Sequence, residues 1–214
     1  MPLFLSRNLL FIHIPKCGGD TIAHHLRTHG DAPFLFVDNG AVMVNGHTPQ
    51  HMTWAEMLQA GWHTPPNYRV ATLVRHPVAR VQSEFRYFKA VHPGLRDIVS
   101  SPAVFLDAFL EDSQTARCQF DNHNGSILEF LSDERGTLDT SIEIYHIDAM
   151  DVLVQSIGLP PVSIADRRNV TLTEVEAAQS QPFTQQDISR IKQRYKEDID
   201  WFEKRFPRLG RTGE

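Results

Sequence analysis

Cysteine is almost absent from this chain: Cys17 and Cys118 are the only two among 214 residues. Two cysteines supply no metal-ligand spacing and require no disulfide, so a reducing, cytoplasmic setting is the expectation. Long apolar runs are missing as well. Residues 3–14 are apolar but interrupted by Arg7, Asn8 and His13. That stretch is too short and too polar to span a membrane and carries no small-residue cleavage site, so it reads as a first core strand. There is no basic excess either: 21 Lys and Arg face 26 Asp and Glu, for a net charge of −5, which argues against general nucleic-acid binding. Repeats, low-complexity tracts and linker-like segments are also lacking. With 41% apolar and 22% charged residues, the chain is expected to form one soluble domain over residues 1–214.

The apolar segments that are present alternate in kind. Residues 9–14 form a near-continuous apolar run, as in a strand covered on both faces. Residues 15–19 break it, and Asp20 or Thr21 is placed to cap a helix that runs to about His29 and ends at Gly30. Residues 34–37 suggest a short strand, 39–49 a glycine-punctuated loop, and 53–60 a helix opened by Thr53. A second buried strand is predicted over 68–74. Pro77 suits the first turn of the helix that follows, whose Val78, Val81, Phe85 and Phe88 share one face, as for packing on a sheet. Further on, 101–110 reads as helical and 113–125 as irregular with one helical turn. Residues 142–147 read as a strand, followed by a helix capped by Asp148 and ended by Gly158. Residues 160–173 are loop-like, and 184–206 reads as one long amphipathic helix. Strands alternating with helices predict an α/β domain with a mostly parallel central sheet, its site at the carboxyl ends of the strands.

Two segments carry most of the functional signal. The first is Phe11-Ile12-His13-Ile14-Pro15-Lys16-Cys17-Gly18-Gly19-Asp20-Thr21 and the second is Ala71-Thr72-Leu73-Val74-Arg75-His76-Pro77-Val78-Ala79-Arg80-Val81-Gln82-Ser83. In the first, glycines allow backbone N–H groups to close on phosphate oxygens at a helix start, and Lys16 adds a mobile charge. The lysine precedes the glycines, unlike the G-x-x-x-x-G-K-[ST] loop. In the second, Arg75 offers a bidentate contact to a phosphate and Ser83 a hydroxyl from the helix. Arg80 reaches either the same region or a carboxylate such as Glu84. No apolar strand ends in an aspartate placed to hold magnesium, so neutralisation by cations is the natural reading.

Together the two segments resemble the 5′-phosphosulfate loop and the 3′-phosphate motif of sulfotransferases that use PAPS (3′-phosphoadenosine 5′-phosphosulfate). The likeness is to the carbohydrate sulfotransferase family of heparan 2-O and 6-O enzymes and bacterial members. Gly46-His47, the segment Arg168-Asn169-Val170-Thr171 and residues 183–206 fit the same group. The resemblance implies a three-layer P-loop-like fold and transfer of a sulfuryl group from PAPS to a hydroxyl of a saccharide or small metabolite. PAP is the product and no metal is required. The charge balance and the lack of a membrane anchor, in which the chain differs from the Golgi enzymes of that family, give the expectation that neither nucleic acid nor membrane is a partner. Lys16 would contact the transferring group, with Lys16, Cys17, Gly18, Gly19, Asp20 and Thr21 forming the 5′-phosphate loop and Arg75 and Ser83 the 3′-phosphate site. Asp20 stands where the family usually has Thr or Ser, and a carboxylate there either points away as a cap or weakens donor binding.

Within that likeness His47 is the catalytic base, with His51 in reserve. Of the remaining histidines among the eleven, His13 reads as a core residue, His24 and His25 as helix-surface residues, and His123 as part of a polar loop. A metal site on His47 and His51 lacks a third ligand in the sequence. Arg117 either faces the ligands or is solvated, Asn169 and Thr171 close over the nucleotide or form a turn, and Trp54 and Trp62 line an acceptor pocket or pack. Two rival functions remain: a small-molecule kinase-like phosphotransferase needing magnesium, and a non-catalytic nucleotide-binding relative.

Overall fold

The computed structural model describes residues 1–34, 45–62, 65–91, 100–163 and 182–208. Its centre is a four-stranded sheet in the order β1 (Leu3–Phe4), β2 (Leu9–Ile12), β3 (Arg69–Val74), β4 (Glu143–His146). β1 runs antiparallel to β2, whereas β2, β3 and β4 are parallel, with Ile12 opposite Thr72 and Val74 opposite His146. β2 is buried at every position and β3 at all but its first. Both are therefore unbroken apolar runs rather than alternating ones. The apolar stretch 3–14 is not one strand: a 3-10 turn at Leu5–Arg7 and left-handed Asn8 (φ 50°) fold β1 back on β2.

Nine helices accompany the sheet among the described residues: α1 (Gly19–Thr28), α2 (Trp54–Gln59), α3 (Pro77–Val91), α4 (Pro102–Phe109), α5 (Gln114–Gln119), α6 (Ile127–Leu131), α7 (Met150–Ser156), α8 (Gln185–Arg194) and α9 (Lys196–Arg205). Thr53 opens α2 as expected, through a capping box with Glu56. The predicted caps of α1 and α7 are displaced. Gly18 (φ 91°) takes the α1 position, leaving Asp20 and Thr21 inside the first turn, and Ala149 rather than Asp148 precedes α7. The long C-terminal helix is also divided. Tyr195 (φ −106°, ψ 33°) separates α8 from α9, its hydroxyl donating to Asn124 O at 2.8 Å. A buried tyrosine hydroxyl needs such a partner.

The core has two parts. One surrounds the sheet, taking in Leu9–Ile12, Ile22, Leu26, Trp54, Val70, Phe130, Leu153 and Phe202. The other joins Val81, Phe85 and Phe88 of α3 to Phe105, Phe109, Phe120, Ile191 and Tyr195. The apolar face of α3 therefore packs against helices α4, α5 and α8 and not on the sheet. Aromatic contacts such as Phe105 on Phe109 (4.8 Å between centroids) and Phe88 on Phe120 (5.2 Å) fill this second part. Of the 34–37 strand only Phe34 is described, bridging to Leu3. Residues 35–44 and the 164–181 segment holding Arg168, Asn169 and Thr171 lie outside the described residues. No helix among those residues is long and apolar enough to cross a membrane.

Candidate functional site

β2 and β3 are parallel neighbours, so the segments that follow them emerge side by side at their carboxyl ends. After β2 the chain turns through Lys16 (φ 61°) and Gly18 (φ 91°) into α1. A left-handed lysine costs on the order of 1 kcal/mol or more. Loops that keep such a conformation are those where backbone direction matters. Gly19 is equally constrained: a Cβ there would lie 2.2 Å from the His13 ring. The first turn of α1, a helix N-terminus, lies beside Lys16, with Gly18 and Asp20 partly exposed and Gly19 and Thr21 buried.

Cys17 is buried, its thiol pushed up to about 11 by that burial against the charges of Arg80 and Arg75 and the nearby Arg75 backbone N–H. This proximity joins the two phosphate-type segments. Burial lowers the Lys16 pKa, as does Arg75, while Glu84 and Asp20 oppose the shift. The Lys16 ammonium rests 3.7 Å from the centroid of the Tyr87 ring. A further cation was not foreseen: burial, and then Arg75, lower the pKa of Arg86. Arg86 lies three positions beyond Ser83, on the same side of α3. Its signal in the sequence was only that spacing. Among the described residues no carboxylate comes within ion-pair distance of Lys16, Arg75 or Arg86.

Asp20 does not cap α1; its carboxylate is 3.8 Å from His13 Nε2. His13 is buried, and that burial brings its pKa down to about 3 against the pull of Asp20. Arg80 forms no ion pair with Glu84 among the described residues, but its charge acts on Cys17 of the loop. It is 2% exposed and donates to the carbonyls of His123 and Gly125.

His47, after left-handed Gly46, stands elsewhere. It lines a cleft of about 1100 Å³ with Asn45, Glu56, Arg117, Glu129 and Trp201, and the Lys16 loop is not part of that lining. Its Nε2 meets Glu56 Oε1 at 3.0 Å and its Nδ1 meets Thr48 O at 3.2 Å. Burial lowers the His47 pKa, but the Glu56 hydrogen bond and charge outweigh it, and the net shift is upward. Glu56 in turn is raised by burial yet brought down to about 2 by hydrogen bonds from His47, Asn45 and the Thr53 N–H. Both ring nitrogens thus face oxygen atoms, an arrangement that favours the protonated ring beside the Glu56 carboxylate.

Two further histidines pair with carboxylates, and a third is buried against expectation. His51 and His123 each pair with a carboxylate, Asp121 and Glu84, at 2.8 Å. His25 is 1% exposed rather than on the helix surface, with Nε2 2.9 Å from Pro160 O. These pairings join segments far apart in the chain, which no local pattern announces. Arg117 is engaged by Glu129 at 2.7 Å. Trp54 is buried and donates to Asp139 at 2.8 Å, a packing role, and Trp62 packs against the sheet core.

Comparison with the models of protein families, with curated proteins and with solved structures finds no match to this chain.

Proposed function

We propose that this chain is a P-loop-like, PAPS-dependent sulfotransferase acting on a hydroxyl of a saccharide or small metabolite. One observation carries the reading: Arg75 acts electrostatically both on Lys16, in the glycine turn before α1, and on Arg86 of α3, and no carboxylate among the described residues forms an ion pair with any of the three. Partly buried cations that lack an ion-pair partner among the described residues favour an anionic ligand. PAPS, with a 5′-phosphosulfate and a 3′-phosphate, presents anionic groups at both ends. On this reading the sheet and its helices form the three-layer arrangement of P-loop-like proteins.

In the reaction, the acceptor oxygen forms a bond to sulfur as the bond from sulfur to the 5′-phosphate oxygen breaks. The electron pair and negative charge pass to that oxygen, and PAP leaves. Lys16 and the amides at the start of α1 meet the developing charge. The acceptor proton goes to a base, assigned to His47 on the resemblance; because the cleft that His47 lines does not include the Lys16 loop, the role requires the acceptor to reach from one to the other. For that, His47 Nε2 must exchange Glu56 for the acceptor hydroxyl, with its proton given up first.

Calorimetric titration with PAP, beside ATP and magnesium, tests the reading. Tight, metal-independent binding of PAP is the expected result. Preference for ATP with magnesium would move the chain to the kinase-like class, and binding of neither would remove the nucleotide site. A His47→Ala variant that binds PAP normally but no longer releases labelled sulfate to an acceptor supports the base assignment; undiminished transfer overturns it. PAP binding without transfer by the wild-type chain on a broad acceptor panel would favour the non-catalytic relative.

A further inference from the structure

His51 and His47 lie four residues apart, yet their side chains part company: His47 turns to Glu56 and His51 to the loop after α5. There His51 meets Asp121 and His123. One ligand atom from each of His51, Asp121 and His123 lies within 4.8 Å of the others. We propose that these three side chains bind a divalent transition-metal ion of the Zn²⁺ type, with a further coordination position open. This site is independent of the nucleotide reading.

The donor set suits such an ion: two imidazoles and one carboxylate are the ligands of three-coordinate protein zinc sites that keep an open position. The supporting contacts are those that metal-binding side chains use. His123 donates from Nδ1 to Glu84 Oε2 at 2.8 Å, which leaves Nε2 as its ligand atom. Asp121 accepts from the Thr48 hydroxyl at 2.8 Å and from the Thr48 backbone N–H, which aims its carboxylate. The loop itself is fixed from behind. Asn122 Nδ2 donates to His51 O at 2.9 Å, tying the two ligand-bearing segments together, and Arg80 grips the carbonyls of His123 and Gly125.

Charge points the same way. Glu84 is 1% exposed, and its second oxygen, Oε1, has no hydrogen-bond partner among the described residues. Together with Asp121 it places two carboxylates around the histidines. An interior polar cluster of this kind is costly unless something uses it. Asp121, with 30% of its side chain exposed against 5% for His51, opens the cluster to solvent. It is also the ligand with most room to close on an ion at about 2.0–2.2 Å. A metal there displaces the proton now shared by His51 Nδ1 and Asp121 Oδ2 and releases it to solvent.

The test is zinc titration of the full chain after dialysis against a chelator, followed by calorimetry and by the visible absorption of Co²⁺ as a substitute. One equivalent per chain is expected. Asp121→Asn, which keeps the side-chain shape, and His123→Ala should each weaken uptake by roughly 10–100-fold or more. Glu84→Gln should weaken it by about tenfold through the His123 orientation alone. His29→Ala, an exposed histidine, should leave it unchanged, and circular dichroism of each variant establishes that it folds. If His123→Ala does not fold, Asp121→Asn and Glu84→Gln decide the matter. No saturable uptake, or uptake unaltered in the folded variants, overturns the proposal.

Discussion

Arg75 and Arg86 repel each other, yet the fold holds them together at the end of β3 and on α3. If they embrace the 3′-phosphate, Arg75→Ala and Arg86→Ala should weaken PAP by about 10- to 100-fold, the equivalent of 1.5–3 kcal/mol for a hydrogen bond to a charged group. AMP, lacking that phosphate, should lose little; equal losses for PAP and AMP would refute the assignment. The His47–Glu56 pair makes a separate prediction through pH. The folded pKa of Glu56 is depressed, so its contribution is present above about 4.5 and lost as pH falls towards about 2. The folded pKa of His47 is raised, so its contribution is present below 6.5 and lost as pH rises through the raised value. Both act together between those limits. Glu56→Gln should therefore cost about 1–2 kcal/mol in urea unfolding at pH 5.5 and clearly less at pH 9. A cost independent of pH would show that the pair is not ionic. Lys16, Gly18 and Arg75 were legible because each sits at a local change of pattern from apolar strand to turn. The pairing of His47 was not, since Glu56 reaches it across a loop while also capping α2.

The elements themselves were mostly legible where they are long and apolar, as at β2, β3 and α4. α6 went unnoticed because five residues leave no period to read. Its stability comes from elsewhere. Asp198 of α9 accepts from the backbone N–H groups of Ile127 and Leu128 at 2.7 and 3.0 Å and from Ser126 Oγ at 2.9 Å, serving the orphan donors at the start of α6. Asp198 is 1% exposed. Asp198→Ala leaves those donors unmet and should cost about 3 kcal/mol. The measurement is the urea midpoint at unchanged m-value, and a shift below about 0.5 kcal/mol, typical of a surface change, would exclude the role. The division of 184–206 at Tyr195 was not legible either, because the periodicity of Ile188, Ile191, Tyr195, Ile199 and Phe202 runs on across the break.

Across the whole molecule, the sequence announced a sheet with helices but not the division of its core. The two parts are joined by the α8–α9 pair, which contributes Ile191 and Tyr195 to the helical part and Phe202 to the sheet part. Unfolding should accordingly be a single transition. Trp54, Trp62 and Trp201 all belong to the sheet part, so their fluorescence should change in step with far-ultraviolet circular dichroism. Separate midpoints would mean that the parts unfold independently. PAP at a hundred times its Kd should stabilise the fold by about 2.7 kcal/mol, raising Tm by roughly 5–10 °C for a chain of this size. An unmoved Tm would count against a site in the folded state.

The collision awaiting any side chain at Gly19 has a consequence for how this chain can diverge. Every amino-acid replacement at position 19 adds at least a Cβ, and that atom meets the His13 ring at 2.2 Å. No single missense change there escapes the clash, so the viable route passes through position 13 first. A smaller residue in place of His13 opens the space, and only then does position 19 become free to drift. The histidine at the end of the strand thus decides which mutational paths through the Lys16 loop are open.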